Sequence, residues 1–252
     1  MSDVVTVRNI NIGEGNTKIF VPIVGKTQDE IISETESIEK LLPDVVEWRV
    51  DFYEEVERMD KVLETLIYIR KNLKDVPILF TFRSIREGGN KKISDEYYIK
   101  LNCMAIESKI IDLIDIELFN KEENIKKILN TAHSNSVYVI MSNHDFKQTP
   151  SKDEIISRLL KMQNLRADIL KIAFMPNSVS DVLVLLEATN YMKENHANKP
   201  LITISMGKKG VISRIVGKTF GSAATFASGE KVSAPGQIFA LELRQILSVL
   251  NK

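Results

Sequence analysis

The 252-residue chain has one cysteine, Cys103, and three histidines. A lone thiol excludes an internal disulfide, and with no CxxC or HExxH pattern nothing points to a zinc site. An excess of charge is missing too: 34 Lys+Arg balance 34 Asp+Glu. Without a net basic field the chain has no general attraction for nucleic acid or anionic lipid, so any affinity for anions must come from a few focused cations. No run of about 18 uninterrupted apolar residues occurs, which argues against a membrane span. The opening MSDVVTVRNI, with Asp3, lacks an apolar run of the length a secretory signal needs, so none is expected. Neither GxGxxG nor GxxxxGK[ST] follows an expected strand, which weakens a nucleotide-binding reading. What is present is ordinary for a chain with a sizeable core: 44% hydrophobic and 27% charged residues. The expectation is a cytoplasmic protein without metal, nucleic-acid or membrane partners.

Short β-branched or aromatic runs alternate with helix-period stretches. Strands are expected at 19–24, 45–51, 78–83, 113–118, 137–143, 169–174, 201–205 and 219–225. Helices are expected at 27–41, 56–71, 94–108, 122–132, 152–163, 179–195, 210–216 and 235–250. Thr27 with Glu30 reads as a capping box, and Pro235 suits a first helical turn. Helical crossovers imply a parallel sheet, either open or closed into a barrel. The alternation in 45–51 favours closure. Glu47, Arg49 and Asp51 share one face and Val46, Trp48 and Val50 the other, whereas strands of a covered open sheet are apolar on both. The fold class is therefore α/β, a (β/α)8 TIM barrel. Barrels of about 250 residues form one unit, so 1–252 is read as a single domain. Residues 1–16, with VTV and INI around Arg8 and Asn9, read as a hairpin closing the barrel's bottom.

Barrel active groups sit at the carboxyl ends of strands and in the loops that follow. Lys171 is the most unusual residue there, flanked by Leu170 and Ile172 in mid-strand. Two readings stand. Burial and cations such as Arg49 or Arg83 would favour the neutral amine, a nucleophile able to form a Schiff base. Alternatively the ammonium snorkels from a strand end or pairs with Glu47. His144 is the natural proton carrier by position, whereas His133 and His196 read as surface residues. Glu87 in REGG either orients the imidazole or is a solvated loop acid. Arg49, Arg83 and Arg214 match an anionic or hydroxyl-rich ligand, with ion pairs to Glu47, Asp51 or Glu117 as the alternative. Ser233 and Gln237 lie in the last loop. Met206, Phe146 and Phe226 are packing residues or water-excluding walls. MGKKG at 206–210 is a weak phosphate cradle.

Several strings, in order, carry a resemblance: EWRVD around Arg49, LFTFRS with REGG, IDLIDIEL, YVIMSNHDF, KIAFMP, TISMG with GVISR, GSAATF and SAPGQI. Together they resemble the type I 3-dehydroquinate dehydratases, Schiff-base enzymes of the shikimate pathway. The resemblance implies a (β/α)8 barrel. It implies cofactor-free dehydration of 3-dehydroquinate to 3-dehydroshikimate, the third step toward chorismate, by a homodimer. Lys171 would match the imine-forming lysine, His144 the base and then acid, and Glu87 the carboxylate orienting it. Arg214 would match the substrate-carboxylate ligand, with Ser233 and Gln237 on the closing loop. Glu47 and Arg83 would match hydroxyl ligands, with Arg49 beside them. Pro22 departs from a serine found in many relatives, so a polar contact from the first barrel strand is expected to be missing. A class I aldolase with a strand-six lysine, acting on phosphorylated sugars, is the competing enzyme reading. A binding barrel without catalysis is the competing non-enzyme one.

Overall fold

The computed structural model describes residues 4–250. Met1 to Asp3, which begin the expected hairpin, and the final two residues lie outside the described residues. Strands β1 (Val5–Val7) and β2 (Ile10–Ile12) pair antiparallel across a turn at Arg8 and Asn9. Eight parallel strands follow: β3 (Lys18–Ile23), β4 (Val45–Arg49), β5 (Ile78–Thr81), β6 (Leu113–Glu117), β7 (Tyr138–Asp145), β8 (Ile169–Phe174), β9 (Leu201–Ser205) and β10 (Ala224–Phe226). Their order is β10-β3-β4-β5-β6-β7-β8-β9, and a Leu201↔Ser222 bridge brings the two ends of the sheet together. The barrel expected from the alternation is thus observed. Helices α1 (Gln28–Ile38), α2 (Met59–Leu73), α3 (Asp95–Glu107), α4 (Glu122–Ser134), α5 (Lys152–Asn164), α6 (Val179–Asn195), α7 (Gly207–Val216) and α8 (Ala240–Leu250) supply the outer layer.

The strand period sorts side chains into two cores. Outward residues such as Val46, Trp48, Phe80, Ile116 and Met141 pack under the helices. Inward residues at the strand feet, Phe20, Val45, Leu79, Leu113, Ile140, Ile169 and Ile202, form a second cluster. Val5, Val7 and Ile12 of the hairpin belong to that cluster and plug the amino-terminal end. Arg8 ties the plug to the foot of β6 through Asp112, Nε to Oδ1 2.7 Å. Burying these side chains removes water from the bottom of the cylinder, at roughly 25 cal/mol per Å² of apolar surface. Above the apolar ring the inward positions turn polar.

Most elements fall within about three residues of expectation, and two boundaries are displaced by five. The last strand begins at Ala224, not 219, because residues 217–220 wind into a 3-10 turn closed by Ser222 N–H donating to the Gly217 carbonyl at 2.9 Å. The last helix begins at Ala240 rather than 235. Residues 228–239 instead fold into a loop pinned by backbone bonds from Ser228 to Ile238 and from Ala240 to Ser228. Pro235 therefore lies in that loop, where its carbonyl is the used group. At α1 the Thr27 side chain accepts from the Glu30 N–H, but Glu30 reaches back to the Lys26 N–H rather than to the cap residue. The reciprocal capping box occurs at α6, between Ser178 and Asp181.

Candidate active site

At the carboxyl ends of the strands the side chains leave a small cavity of about 50 Å³. Each residue singled out from sequence borders it: Lys171, His144, Glu87, Glu47, Arg49, Arg83, Arg214, Ser233, Gln237, Met206 and Phe146. The polar floor comes from inward positions on consecutive strands: Glu47 of β4, Thr81 of β5, Asp115 of β6, Ser142 of β7 and Lys171 of β8. Thr81 donates to Glu47 Oε1 at 2.9 Å, and Ser142 donates to Asp115 Oδ1 at 2.6 Å. Pro22 adds no side chain to this lining; it borders a small space beneath Gly229 and Lys231.

Lys171 is buried, with Nζ 3.1 Å from Asp115 Oδ2, 3.7 Å from Glu47 Oε1 and 4.3 Å above the Phe226 ring centre. Of the two readings of Lys171, the ion pair with Glu47 is present, and its nearest charged neighbours are carboxylates rather than the expected cations. Arg83 is near, but Asp115 stands between, taking Arg83 Nη2 at 2.9 Å on the oxygen opposite that facing Lys171. The floor is an alternating array of buried charges, each paired as burial requires. Arg83 also donates to Glu117 at 3.1 Å and to Ser142 at 2.9 Å. Arg49 is held by both oxygens of Asp51, at 2.8 and 2.9 Å. Ion pairing, the alternative raised for the arginines, thus holds for two of them.

Arg214 differs. It is 2% exposed, its Nη atoms donate to the Phe226 and Pro235 carbonyls at 3.1 Å, and its Nε is buried with no partner. Burial pulls this guanidinium down to about 10. Among the described residues it is the cavity arginine with no carboxylate partner. Ser233 and Gln237 sit together above it. The Gln237 side-chain oxygen accepts from the Ser233 N–H at 2.8 Å, and its amide donates to Ser233 Oγ at 3.0 Å.

His144 extends from the end of β7 into the cavity with Nδ1 3.0 Å from Glu87 Oε2. The same oxygen accepts the His144 backbone N–H at 2.8 Å. Glu87 is therefore no solvated loop acid; it closes a 3-10 turn (Ile85–Glu87) and is 5% exposed. Gly88 follows at φ 85°, and a Cβ there would stand 2.2 Å from the Phe146 ring, so the turn and the ring can touch only because the residue is glycine. Burial and the nearby Glu117 carboxylate push Glu87 up to about 8. Burial, with Arg83, Lys171 and Arg49 adding to it, holds His144 well below the usual imidazole range. The ring is thus kept from carrying a charge of its own.

Asp115 is the functional neighbour that residue-by-residue reading missed. It lies within IDLIDIEL, whose alternation Leu113, Asp115, Glu117 puts the three on one face, but an acid flanked by isoleucines carries no local sign of its partners. His133 and His196 are surface residues as expected, the first paired with Asp168 and the second tilted against Tyr191.

Fold and cavity together define a (β/α)8 barrel with an enclosed chamber of buried ionic groups at the catalytic end of its strands. The profile of the type I 3-dehydroquinase family matches residues 19–252, and the chain belongs to that family. It is similar to the 3-dehydroquinate dehydratase of Bacillus velezensis, 53% identical over 98% of both chains. It is likewise similar to that of Clostridioides difficile, 52% identical over 98% of this chain and 97% of the other. A crystal structure of the Clostridium difficile type I enzyme with covalently modified comenic acid superimposes with a TM-score of 0.97, at 51% identity over 100% and 99% of the chains.

Proposed function

We propose that this member of the family dehydrates 3-dehydroquinate to 3-dehydroshikimate through an imine on Lys171. The observation that carries the reading is one enclosed cavity bordered by a buried primary amine, a neutral imidazole backed by a carboxylate, and an arginine without a counter-ion. Lys171 Nζ attacks the ring ketone, and loss of water gives an iminium. This cation acidifies the adjacent C2 proton by accepting its electron pair as an enamine. His144 Nε2 removes that proton. It then returns it to the C1 hydroxyl, which departs as water while the enamine electrons move into the new C1–C2 double bond. Water hydrolyses the conjugated iminium, freeing product and lysine.

The remaining groups orient the ring. Arg214, left with an unfilled Nε, receives the substrate carboxylate, with Ser233 and Gln237 closing over it. Glu47, Arg83 and Arg49 meet the ring hydroxyls, and Phe146 and Met206 keep bulk water from the iminium. Glu87 holds His144 through Nδ1, leaving Nε2 for the substrate. The aldolase reading expects a phosphate cradle at the α7 start, but the Gly207 N–H there is taken by the Pro235 carbonyl at 3.1 Å. We further infer that the chain works as one barrel unit, in a homodimer, in the cytoplasm, with no cofactor in the cycle.

Borohydride added during turnover tests the imine. A mass increase equal to the reduced ligand is expected on the peptide carrying Lys171, and none in Lys171→Ala. An active preparation that yields only unmodified protein rejects the route.

A further inference from the structure

We propose that Arg158, on the outer helix layer, is a positioning residue that acts on the His144–Glu87 pair through the amide of Asn143. The proposal rests on the reading of His144 as the proton carrier. Residues 143 and 144 are consecutive on β7, so their side chains leave the strand on opposite faces. His144 points into the cavity, while Asn143 points into the layer between barrel and helices, in the row of Val139 and Met141. A polar residue there is 2% exposed and needs partners. It has two. Its Nδ2 donates to Glu87 Oε1 at 3.0 Å, and its Oδ1 accepts from Arg158 Nη1 at 2.8 Å.

Glu87 therefore straddles the end of the strand. One oxygen holds His144 on the inner face and the other holds Asn143 on the outer face, so the carboxylate cannot pivot without losing both. The direction of the relay is fixed by chemistry. A guanidinium has donors only, so Arg158 compels the amide oxygen to face it and the NH2 to face Glu87. The reversed amide would set donor against donor and oxygen against carboxylate. Arg158 is in turn held by Glu154, Nε to Oε1 2.7 Å, and lies over the Phe119 and Phe174 rings at 5.2 and 5.7 Å. It touches neither the cavity nor any reacting atom. Its effect is to keep a donor on Glu87, which favours the carboxylate form able to accept the Nδ1 proton of His144 and leave Nε2 free.

The other charged groups facing the pair are Arg83, 3.7 Å from Glu87 Oε2, with Glu117, Lys171 and Arg49. None of these changes when Arg158 is replaced, so the relay can be isolated. The experiment measures the pH dependence of kcat/KM, together with kcat and KM, for Arg158→Gln, Arg158→Lys, Asn143→Asp and Lys161→Gln. Lys161 is the control: it lies 5.9 Å over the same Phe119 ring and has no bond to Asn143. Arg158→Gln is expected to lower kcat about tenfold near neutrality with KM within twofold. It should also move the acid limb upward by about one pH unit, the scale of one hydrogen bond to a charged group. Arg158→Lys, which keeps a donor, should recover most of both, and Lys161→Gln should match the parent. Asn143→Asp, setting a second carboxylate against Glu87, should shift the limb furthest. If Arg158→Gln does not fold, Asn143→Asp and Arg158→Lys carry the test. An unmoved acid limb in Arg158→Gln or in Asn143→Asp overturns the relay. Borohydride trapping on the parent protein separates the two claims: loss of the Lys171 adduct there defeats the imine reading, whereas an adduct with an unmoved limb defeats only the relay.

Discussion

Replacing Arg214 with methionine keeps most of the side-chain length and removes the charge. Two opposing effects on stability follow from the geometry. Burial pulls the guanidinium down to about 10, so holding it charged costs roughly 3 kcal/mol at neutral pH, and methionine relieves that cost. The same change takes the Arg214 donor from the Phe226 carbonyl, at about 1–3 kcal/mol if that acceptor is left unsatisfied, whereas the Pro235 carbonyl keeps the Gly207 N–H. The balance is small, and the unfolding free energy should stay within about 2 kcal/mol of the parent. Binding is different, because nothing offsets the loss of the carboxylate's partner. Truncating one side of a desolvated, hydrogen-bonded charge pair costs about 2–5 kcal/mol, or roughly 30- to 4,000-fold in affinity. The ring carboxylate is not where bonds form or break, so the loss should fall mainly on KM. Initial rates from the ultraviolet absorbance of the enone product, together with urea unfolding, measure both quantities. A KM within threefold of the parent would refute the assignment of Arg214 as the anion's partner.

The Glu87–His144 pair makes stability depend on pH in a defined direction. Glu87 is raised to about 8, so it binds a proton on folding between its unfolded value and 8, and stability is lost as pH rises through that window. His144 is lowered, so its contribution is lost as pH falls below its unfolded value near 6.5. Between about 4.5 and 6.5 the folded and unfolded pair bind equal numbers of protons and the terms cancel. Above 6.5 only the Glu87 term acts, and stability should fall by about 2 kcal/mol up to pH 8. Urea titrations of the parent and of Glu87→Gln should differ by that decline, and identical slopes would remove the basis for a raised Glu87. Gly236 sits at φ 77° with a Cβ position 2.5 Å from the Gly207 carbonyl oxygen. Gly236→Ala should therefore displace the loop whose Pro235 carbonyl holds Arg214, raising KM about tenfold or more with smaller change in kcat, on the scale of 1.4 kcal/mol per decade. A variant with unaltered kinetics would show that the loop tolerates the strain.

How much was legible in the sequence divides along physical lines. The barrel followed from the alternation at Glu47 and Arg49, since among parallel sheets a closed one offers a strand one polar and one covered face, although Asp51, expected on the same strand, lies in the 3-10 turn Val50–Phe52. The chamber's lining followed from a positional rule, and the type I 3-dehydroquinase resemblance sharpened the roles. Boundaries failed where backbone bonds at a distance decide: Pro235 looked like a helix start, but its carbonyl is claimed by Gly207 and Arg214, which lie more than 20 residues away. Partnerships failed similarly. Nothing local to Asp115 shows that it separates Lys171 from Arg83, and nothing in the run around Arg158 points to Asn143. These are contacts between strands and helices that the chain's period brings together but does not name.

The ring is completed by the last strand, through three residue pairs from Ala224↔Lys18 to Phe226↔Phe20 on one side and the Leu201↔Ser222 bridge on the other. During synthesis the partners of those three pairs emerge some two hundred residues apart, so a nascent chain passes most of its time as a ribbon with both margins unsatisfied. The plug made by Val5, Val7 and Ile12 has no seat until the cylinder exists, although it is made first. Closure, and with it the dry floor on which the ionic array depends, is therefore a late event that couples the first dozen residues to the last few dozen. Truncation at either terminus should leave long strands formed and the catalytic end unassembled.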